Sequence, residues 1–401
     1  MKIGIVLAST PGYSETFFRS KIKGLRDQGH EVILFVQETH KDFNLCNVVV
    51  APKVYSSTLV NGFAMMWLTL KVLPFLKPVG RLISLERSHK KSWSVALKSV
   101  YVNAHILKQK LDWLHFGFAT QALKREWVAK AIGAKMGVSF RGFDITTYPL
   151  KHPNCYEALW KSVDKVHTIS DHLLEKGHQL GLPKTVRACK ITPAIDCSLF
   201  IPGTKKKEML SKPIQFLTVA RFHFIKGIEH MLMALSMLKK EGVPFHYTLV
   251  GTGSKKEMER VIFAVQQLDL VHEVSLTGKL IPSEIKHYYE RCDIYLQYSI
   301  SEGFCNAVLE AQAMGLICIV SDAGGLSENV IHQKTGWVVP KMHPNLLAVQ
   351  IWNVLQMPQA VLMEVTDFAK ERIKTHFSIE KQQKEFVAFY GQPIDELLTR
   401  R

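Results

Sequence analysis

The chain has 401 residues, too many for one ordinary core and suited to two domains of common size. A hydrophobic share of 47% is that of a globular protein, and seven scattered cysteines without a C-x-x-C pair argue against a disulfide framework and a zinc site and suit a reducing cytoplasm. The net charge of +16 is lopsided: residues 1–200 carry 28 Lys and Arg against 14 Asp and Glu, the other 201 carry 23 against 21. Such asymmetry points to a partner, whether nucleic acid, an anionic membrane or an acidic substrate.

The opening MKIGIVLASTPGYSETF has too few consecutive apolar residues for a secretory segment and predicts a first strand and its loop. Short apolar, β-branched runs then alternate with helix-length polar segments. In the first half they are IGIVLA (3–8), EVILFV (31–36), NVVVA (47–51), WLHF (113–116), GVSF (137–140), KVHTI (165–169) and ACKIT (188–192). The second half has IQFLTV (214–219), HYTLV (246–250), EVSLT (273–277), DIYLQ (293–297), LICIV (316–320) and GWVV (336–339). Continuous apolar runs between helices predict buried parallel strands. The Pro/Gly/Lys-rich IPGTKKKEMLSKP (201–213) reads as a linker. The pattern predicts two Rossmann-like, doubly wound α/β domains facing across a cleft, over 1–200 and 214–377, with ligands at the carboxyl ends of the strands.

Residues 55 to about 105 break the alternation. LVNGFAMMWLTL (59–70) is apolar but only 12 residues long, against the roughly 20 of a membrane span. Seven Lys and Arg stand in this region against Glu86 alone. Cations beside leucines and aromatics predict contact with an anionic membrane surface.

The chemistry gathers in the second half. SEGFCNAVLEAQAMG (301–315) follows a strand and opens a helix, so its amides and helix dipole favour anions or sugar oxygens. Gly303 lets backbone approach a ligand. Glu302 lies in the loop, and Glu310, about one turn into the helix, can turn back to the same place and hold a vicinal diol. ARFHFIKGIEH (220–230) puts Arg221 and Lys226 after the strand IQFLTV, a diphosphate clamp in which arginine binds bidentately. LVGTGSKKEMER (249–260) lacks the third glycine of a dinucleotide fingerprint, so Gly251 marks a tight turn beside a nucleotide. SLTGKLIP (275–282) again sets a glycine and a lysine after a strand.

In this order, R-x4-K, G-x-G, T-G-K-L and E-G-F-x-x-A-x-x-E-A-x-A-x-G resemble the nucleotide-sugar domain of the retaining glycosyltransferases of family 4 (group 1), which have the GT-B fold. The resemblance covers essentially the whole chain. STPGYSETFFRSKIKGLRDQGHEV (9–32) looks like the start of members that build exopolysaccharide and lipopolysaccharide, AIDCSLFIP (194–202) like the segment before the linker, and HFSIEKQQKEFVAFY (376–390) like a final helix that returns, over about 378–401, to the first domain. It implies that Arg221 and Lys226 hold the donor diphosphate and stabilise the departing charge, that Glu310 binds ribose, and that Glu302 with the amides of Gly303 and Phe304 orients the donor sugar. Backbone near Lys279 and Leu280 would meet the base. It further implies a nucleoside-diphosphate sugar donor, a glycan or lipid-linked acceptor, no cofactor, and a place at the inner face of the cell membrane. The cationic clamp argues against a glycosidase, whose two carboxylates straddle the scissile bond. With no D-x-D motif and two cations in the clamp, the expected transfer retains configuration and needs no metal.

The first domain departs from the family at SFRGFDIT (139–146), where H-G-x-D is usual. Gly142 and Asp144 match, but Arg141 replaces the histidine, and a guanidinium cannot act as a base. Arg141 could instead meet an anionic group of donor or acceptor. His115, at the end of WLHF, and Ser14 with Glu15 are the other residues expected on the acceptor side. A nucleotide-sugar epimerase or hydrolase of the same fold is the competing enzyme reading. Nucleic-acid binding is disfavoured, since the charge lies in one domain and no helix-turn-helix, zinc or RNP-like motif is present.

Overall fold

The computed structural model describes residues 1–12, 16–40, 43–55, 73–203 and 209–391. All thirteen apolar runs form strands, and every strand pair is parallel. The first sheet holds β1 (Lys2–Val6), β2 (Glu31–Val36), β3 (Asn47–Val50), β4 (Trp113–Phe116), β5 (Lys135–Phe140), β6 (Lys165–Thr168) and β7 (Arg187–Lys190), in the order 3-2-1-4-5-6-7. The second holds β8 (Ile214–Val219), β9 (Phe245–Val250), β10 (Val274–Gly278), β11 (Ile294–Gln297), β12 (Ile317–Ser321) and β13 (Trp337–Val339), in the order 10-9-8-11-12-13. Each is doubly wound, with its order reversing beside its own first strand, between β1 and β4 and between β8 and β11. Ligand crevices form at such points.

The chain divides into two compact bodies, Met1–Ile191 with the segment from Gln382, and Thr192–Lys381. The division therefore comes at 191 rather than at 200. Residues 192–203 go with the second body because Ile195 donates its backbone amide to Phe377 O (3.0 Å) and pairs with Ser378. Of the expected linker, 204–208 lie outside the described residues, as do 392–401 of the expected final helix and the apolar stretch 59–70.

The helix Ile379–Gly391 lays Phe386, Phe389 and Tyr390 on the first body, where Trp113, Phe17 and Ile22 complete its core. At its centre is a polar chain. Ile191 O can only accept, so His167 donates to it from Nε2 (2.9 Å) and accepts on Nδ1 from the Ser139 hydroxyl (2.8 Å). Ser139 has then spent its proton, so His115 donates from Nε2 to Ser139 Oγ (2.8 Å) and accepts the Tyr390 hydroxyl on Nδ1 (2.8 Å). Lys21 Nζ lies 3.2 Å from that same Nε2, which carries a proton, so the lysine meets a donor. An uncharged amine suits this place.

The faces of Phe386 and Tyr390, 4.5 and 5.3 Å from Nζ, favour a cation by about 2 kcal/mol or more at such a desolvated place. Removing an ammonium from water costs several kcal/mol. Burial accordingly drives Lys21 well below the usual lysine range, with the Arg141 charge adding to the shift. The folded chain thus binds fewer protons here than the unfolded chain, so stability rises with pH up to the ordinary lysine pKa of about 10.4. Replacing Lys21→Met should flatten the rise of stability with pH on the alkaline side of neutrality, by up to about 1.4 kcal/mol per pH unit in denaturant unfolding. An unchanged slope would mean that Lys21 is charged in the folded protein.

Candidate active site

Three loops at the carboxyl edge of the second sheet are tied together by backbone. After β8, Phe222 donates to Thr252 O (2.8 Å) in the loop after β9, and Gly251 donates to Gly278 O (2.8 Å) at the end of β10. Gly251 has φ +138°, and a Cβ there would lie 1.8 Å from Ala220 O, so only glycine fits. On the other side of β8, Ile300 donates to Ile225 O (2.7 Å), joining the loop after β11 to the loop after β8. Gly227, at φ +62°, ends the 3-10 turn Phe224–Lys226 and starts the helix Ile228–Lys240, and its Cβ would meet Tyr298 O at 2.1 Å. The R-x4-K and E-G-F segments therefore flank the point where the strand order reverses.

There the two predicted charges meet directly. Lys226 Nζ forms an ion pair with Glu302 Oε2, with the side chains 16% and 12% exposed. Burial pulls the Lys226 ammonium down, but the Glu302 charge and hydrogen bond outweigh it and leave its pKa raised, so it stays protonated. Ser299 Oγ lies 3.4 Å from the same Glu302 oxygen, and Gly325 N donates to Glu302 O (3.0 Å), bringing in the loop after β12. Arg221 is exposed and close enough to oppose the Lys226 charge.

The helix Asn306–Ala313 starts beneath this pair. Its cap is built by Asn329, which accepts from Cys305 N and donates to Cys305 O, both at 3.0 Å. Phe304 is buried against Phe377, at 5.8 Å between ring centres, so only its backbone can serve a ligand. Glu310 is partly buried and accepts a hydrogen bond from Tyr289 Oη (2.9 Å). Burial pushes its carboxyl up to about 7 despite that bond. Lys279 is exposed, and Leu280 lines a shallow groove with Glu284, His287, Tyr288 and Arg291.

The expected acceptor side fares differently. Ser14 and Glu15 lie outside the described residues. His115 is 0% exposed, so its expected substrate contact is corrected: it is a core histidine of the Lys21 chain. Asp144 is also fully buried, and its oxygens accept from the amides of Arg141 (3.0 Å), Gly142 (2.9 Å) and Ala119 (3.0 Å). It shapes the loop rather than meeting a substrate. Arg141 remains partly exposed, its guanidinium carbon 3.8 Å from the centre of the Phe17 ring.

Sequence reasoning missed Tyr289, Ser299, Asn329 and the Asp322–Gly325 loop. Only the Gly-Gly pair after LICIV offered a local signal; the others act across 3 to 24 residues, and no spacing rule announces them.

Comparison with known proteins agrees with this geometry. Residues 203–372 match the family of glycosyl transferases group 1. The chain is 26% identical over 410 residues to the putative colanic acid biosynthesis glycosyltransferase WcaL of Escherichia coli K12, covering 97% of this chain and 99% of that one. It is 27% identical over 274 residues to the amylovoran biosynthesis glycosyltransferase AmsK of Erwinia amylovora, covering 66% of each. Among solved structures, sucrose-phosphate synthase from Thermosynechococcus elongatus aligns with a TM-score of 0.71 at 18% identity, over 97% of this chain and 98% of that one. Anabaena Alr3699/HepE in complex with UDP aligns at 0.71 and 14% identity, over 96% and 98%. Residues 203–372 thus form a group 1 glycosyltransferase domain, and the chain as a whole has the GT-B fold.

Proposed function

We propose that the protein moves a sugar from a nucleoside-diphosphate donor to a glycan or lipid-linked acceptor in building a cell-surface polysaccharide, with retention of configuration and without a metal. The observation that carries this reading is the pairing of Lys226 with Glu302, beside Arg221, at the reversal point of the second sheet. The names of WcaL and AmsK, which concern colanic acid and amylovoran, support the polysaccharide, and the UDP bound by HepE supports the donor class.

Arg221 and Lys226 take the donor diphosphate, Lys226 turning part of its charge from Glu302 to the phosphate as the bond to the anomeric carbon breaks. Cations placed where charge develops lower the barrier most. The acceptor hydroxyl attacks that carbon from the side the diphosphate leaves, and its proton passes to the departing phosphate oxygen. Glu302 and the amides of Gly303 and Phe304 orient the sugar, Glu310 accepts from the ribose hydroxyls, and backbone at Gly251, Lys279 and Leu280 meets the nucleoside.

We further propose that the first domain rests on the anionic inner face of the cell membrane. The helices Leu76–Ser88 and Trp93–Leu107 expose Leu76, Trp93 (60%), Val95 and Leu97 among the exposed cations Lys77, Arg81, Arg87, Lys90, Lys91 and Lys98. Arg87 stands 5.0 Å from the Trp93 ring centre, a cation and aromatic pair suited to a headgroup layer. Among the described residues no single helix is long and apolar enough to cross a membrane.

Thermal unfolding with UDP, GDP, ADP, dTDP and NAD, each without metal, should show one nucleoside diphosphate adding about 2.7 kcal/mol at 100 times its dissociation constant. Arg221→Ala should abolish that shift, and EDTA should leave turnover unchanged. No shift, or a shift with NAD alone, would remove the donor assignment. Because a carboxylate accepts hydroxyl protons better when ionised, affinity for that nucleotide should rise with pH through about 7, and Glu310→Gln should remove the rise. Isothermal calorimetry at pH 5.5, 7 and 8.5 reads it, and a flat wild-type profile would take Glu310 off the ribose. Lys90→Glu with Lys91→Glu and Lys98→Glu should lower flotation with phosphatidylglycerol vesicles severalfold, while equal flotation would detach this face from the membrane.

A further inference from the structure

We propose that Asn329 is a positioning residue for sugar transfer: braced by Arg372, it aims the backbone amides of Gly303 and Phe304 at the donor sugar without touching the donor. The inference rests on the transferase reading above.

Residues 302–305 are pinned at both ends by one short turn of chain, 325–329. At the near end Gly325 N donates to Glu302 O (3.0 Å). At the far end the Asn329 side chain accepts from Cys305 N and donates to Cys305 O. A side-chain amide suits this task because it carries an acceptor and a donor side by side, which neither an ionised carboxylate nor an aliphatic group does. Between the pins, and among the described residues, no protein group accepts from the amides of Gly303 and Phe304. Gly303 has no Cβ to restrict its peptide planes, so the pins decide where those two amides point.

Asn329 is itself fixed from behind. It is buried, and its backbone carbonyl oxygen accepts from Gln312 Nε2 (3.0 Å) and from the Arg372 guanidinium (2.8 Å). The other arm of Arg372 donates to Glu328 O (2.7 Å), so two successive carbonyls are held by one rigid fork. The same guanidinium lies 4.7 Å from the centre of the Phe377 ring, against which the Phe304 ring packs at 5.8 Å. Arg372 therefore reaches the loop by two routes, through Asn329 to the backbone and through Phe377 to the Phe304 ring. None of these bonds involves Lys226 or Arg221, so the brace bears on the sugar and not on the diphosphate.

Calorimetry on the full chain compares UDP with UDP-glucose and UDP-galactose, or GDP with GDP-mannose and GDP-fucose if GDP is the nucleotide bound. Asn329→Ala should lower the affinity for the nucleotide sugar about 10-fold and leave that for the free nucleotide as in wild type. Arg372→Met should act in the same direction to a smaller degree. Combined, the two should lose less than the product of their separate factors, because one acts largely through the other. A merely structural role would lower both affinities together. A parallel loss in a variant that keeps a cooperative thermal transition would therefore overturn the proposal, as would an unchanged ratio of the two affinities. If Asn329→Ala does not fold, the ratio in Arg372→Met decides in the same way. If the wild type binds no nucleotide, or none of these conjugates, the donor reading fails separately and hydrogen exchange of the free protein judges the brace. Asn329→Ala, or Arg372→Met in its place, should then speed exchange at Cys305 N severalfold, and an unchanged rate would overturn it.

Discussion

An ion pair between Lys226 and Glu302 is the constraint on which the site depends. The two residues are 76 positions apart, and each is about seven-eighths buried. A charge left alone in such a place costs about 3–5 kcal/mol, so neither side chain can be there without the other. Forming the pair draws the turn after β8 against the loop after β11, and the Ile300 to Ile225 backbone bond completes the seam. The pair also satisfies both charges in the free protein, and under the proposed function the carboxylate is the resident anion until a donor phosphate takes part of its claim on the lysine.

Backbone shape makes that seam possible. At Gly227 and Gly251 a methyl group would stand about 2 Å from a carbonyl oxygen of the neighbouring loop, and both residues have positive φ. They are the two hinges on which the turn after β8 approaches β11 on one side and β9 on the other. A G-x-G that fails as a dinucleotide fingerprint is therefore still required, for packing loops rather than for cradling a cofactor.

The fold was legible because thirteen continuous apolar runs leave little choice but buried parallel strands, and strand ends then point to the loops that matter. Glu302, Lys226, Arg221 and Glu310 were legible for the same reason, each lying just past a strand or in the first turns of the following helix. What stayed hidden depends on where side chains point. His115 stands in a strand, and a period-2 element gives no sign of which face the imidazole takes; here it turns inward to meet Tyr390, 275 residues later. The Lys226 and Glu302 contact was equally invisible, since each residue reads alone as a ligand group. The domain boundary shifted from 200 to 191 because one backbone pairing, Ile195 with Ser378, outweighs the look of a Pro/Gly/Lys-rich linker.

The two sheets share one strand order through their first six members, yet their chemistry differs, which separates what topology supplies from what loops supply. In the second body the loops at the reversal point gather charge, the largely buried Lys226–Glu302 pair beside the exposed Arg221. In the first body the strand at the same topological place, β4, carries a histidine committed to the interior, and the buried polar chain it joins ties the C-terminal helix to the sheet. Identical topology thus gathers a charged pair at the reversal point in one body and anchors a helix in the other. Arg141, partly exposed near that anchored core, owes its position to the same packing: its guanidinium lies over Phe17, whose other neighbour is the His167 ring stacked 5.7 Å away.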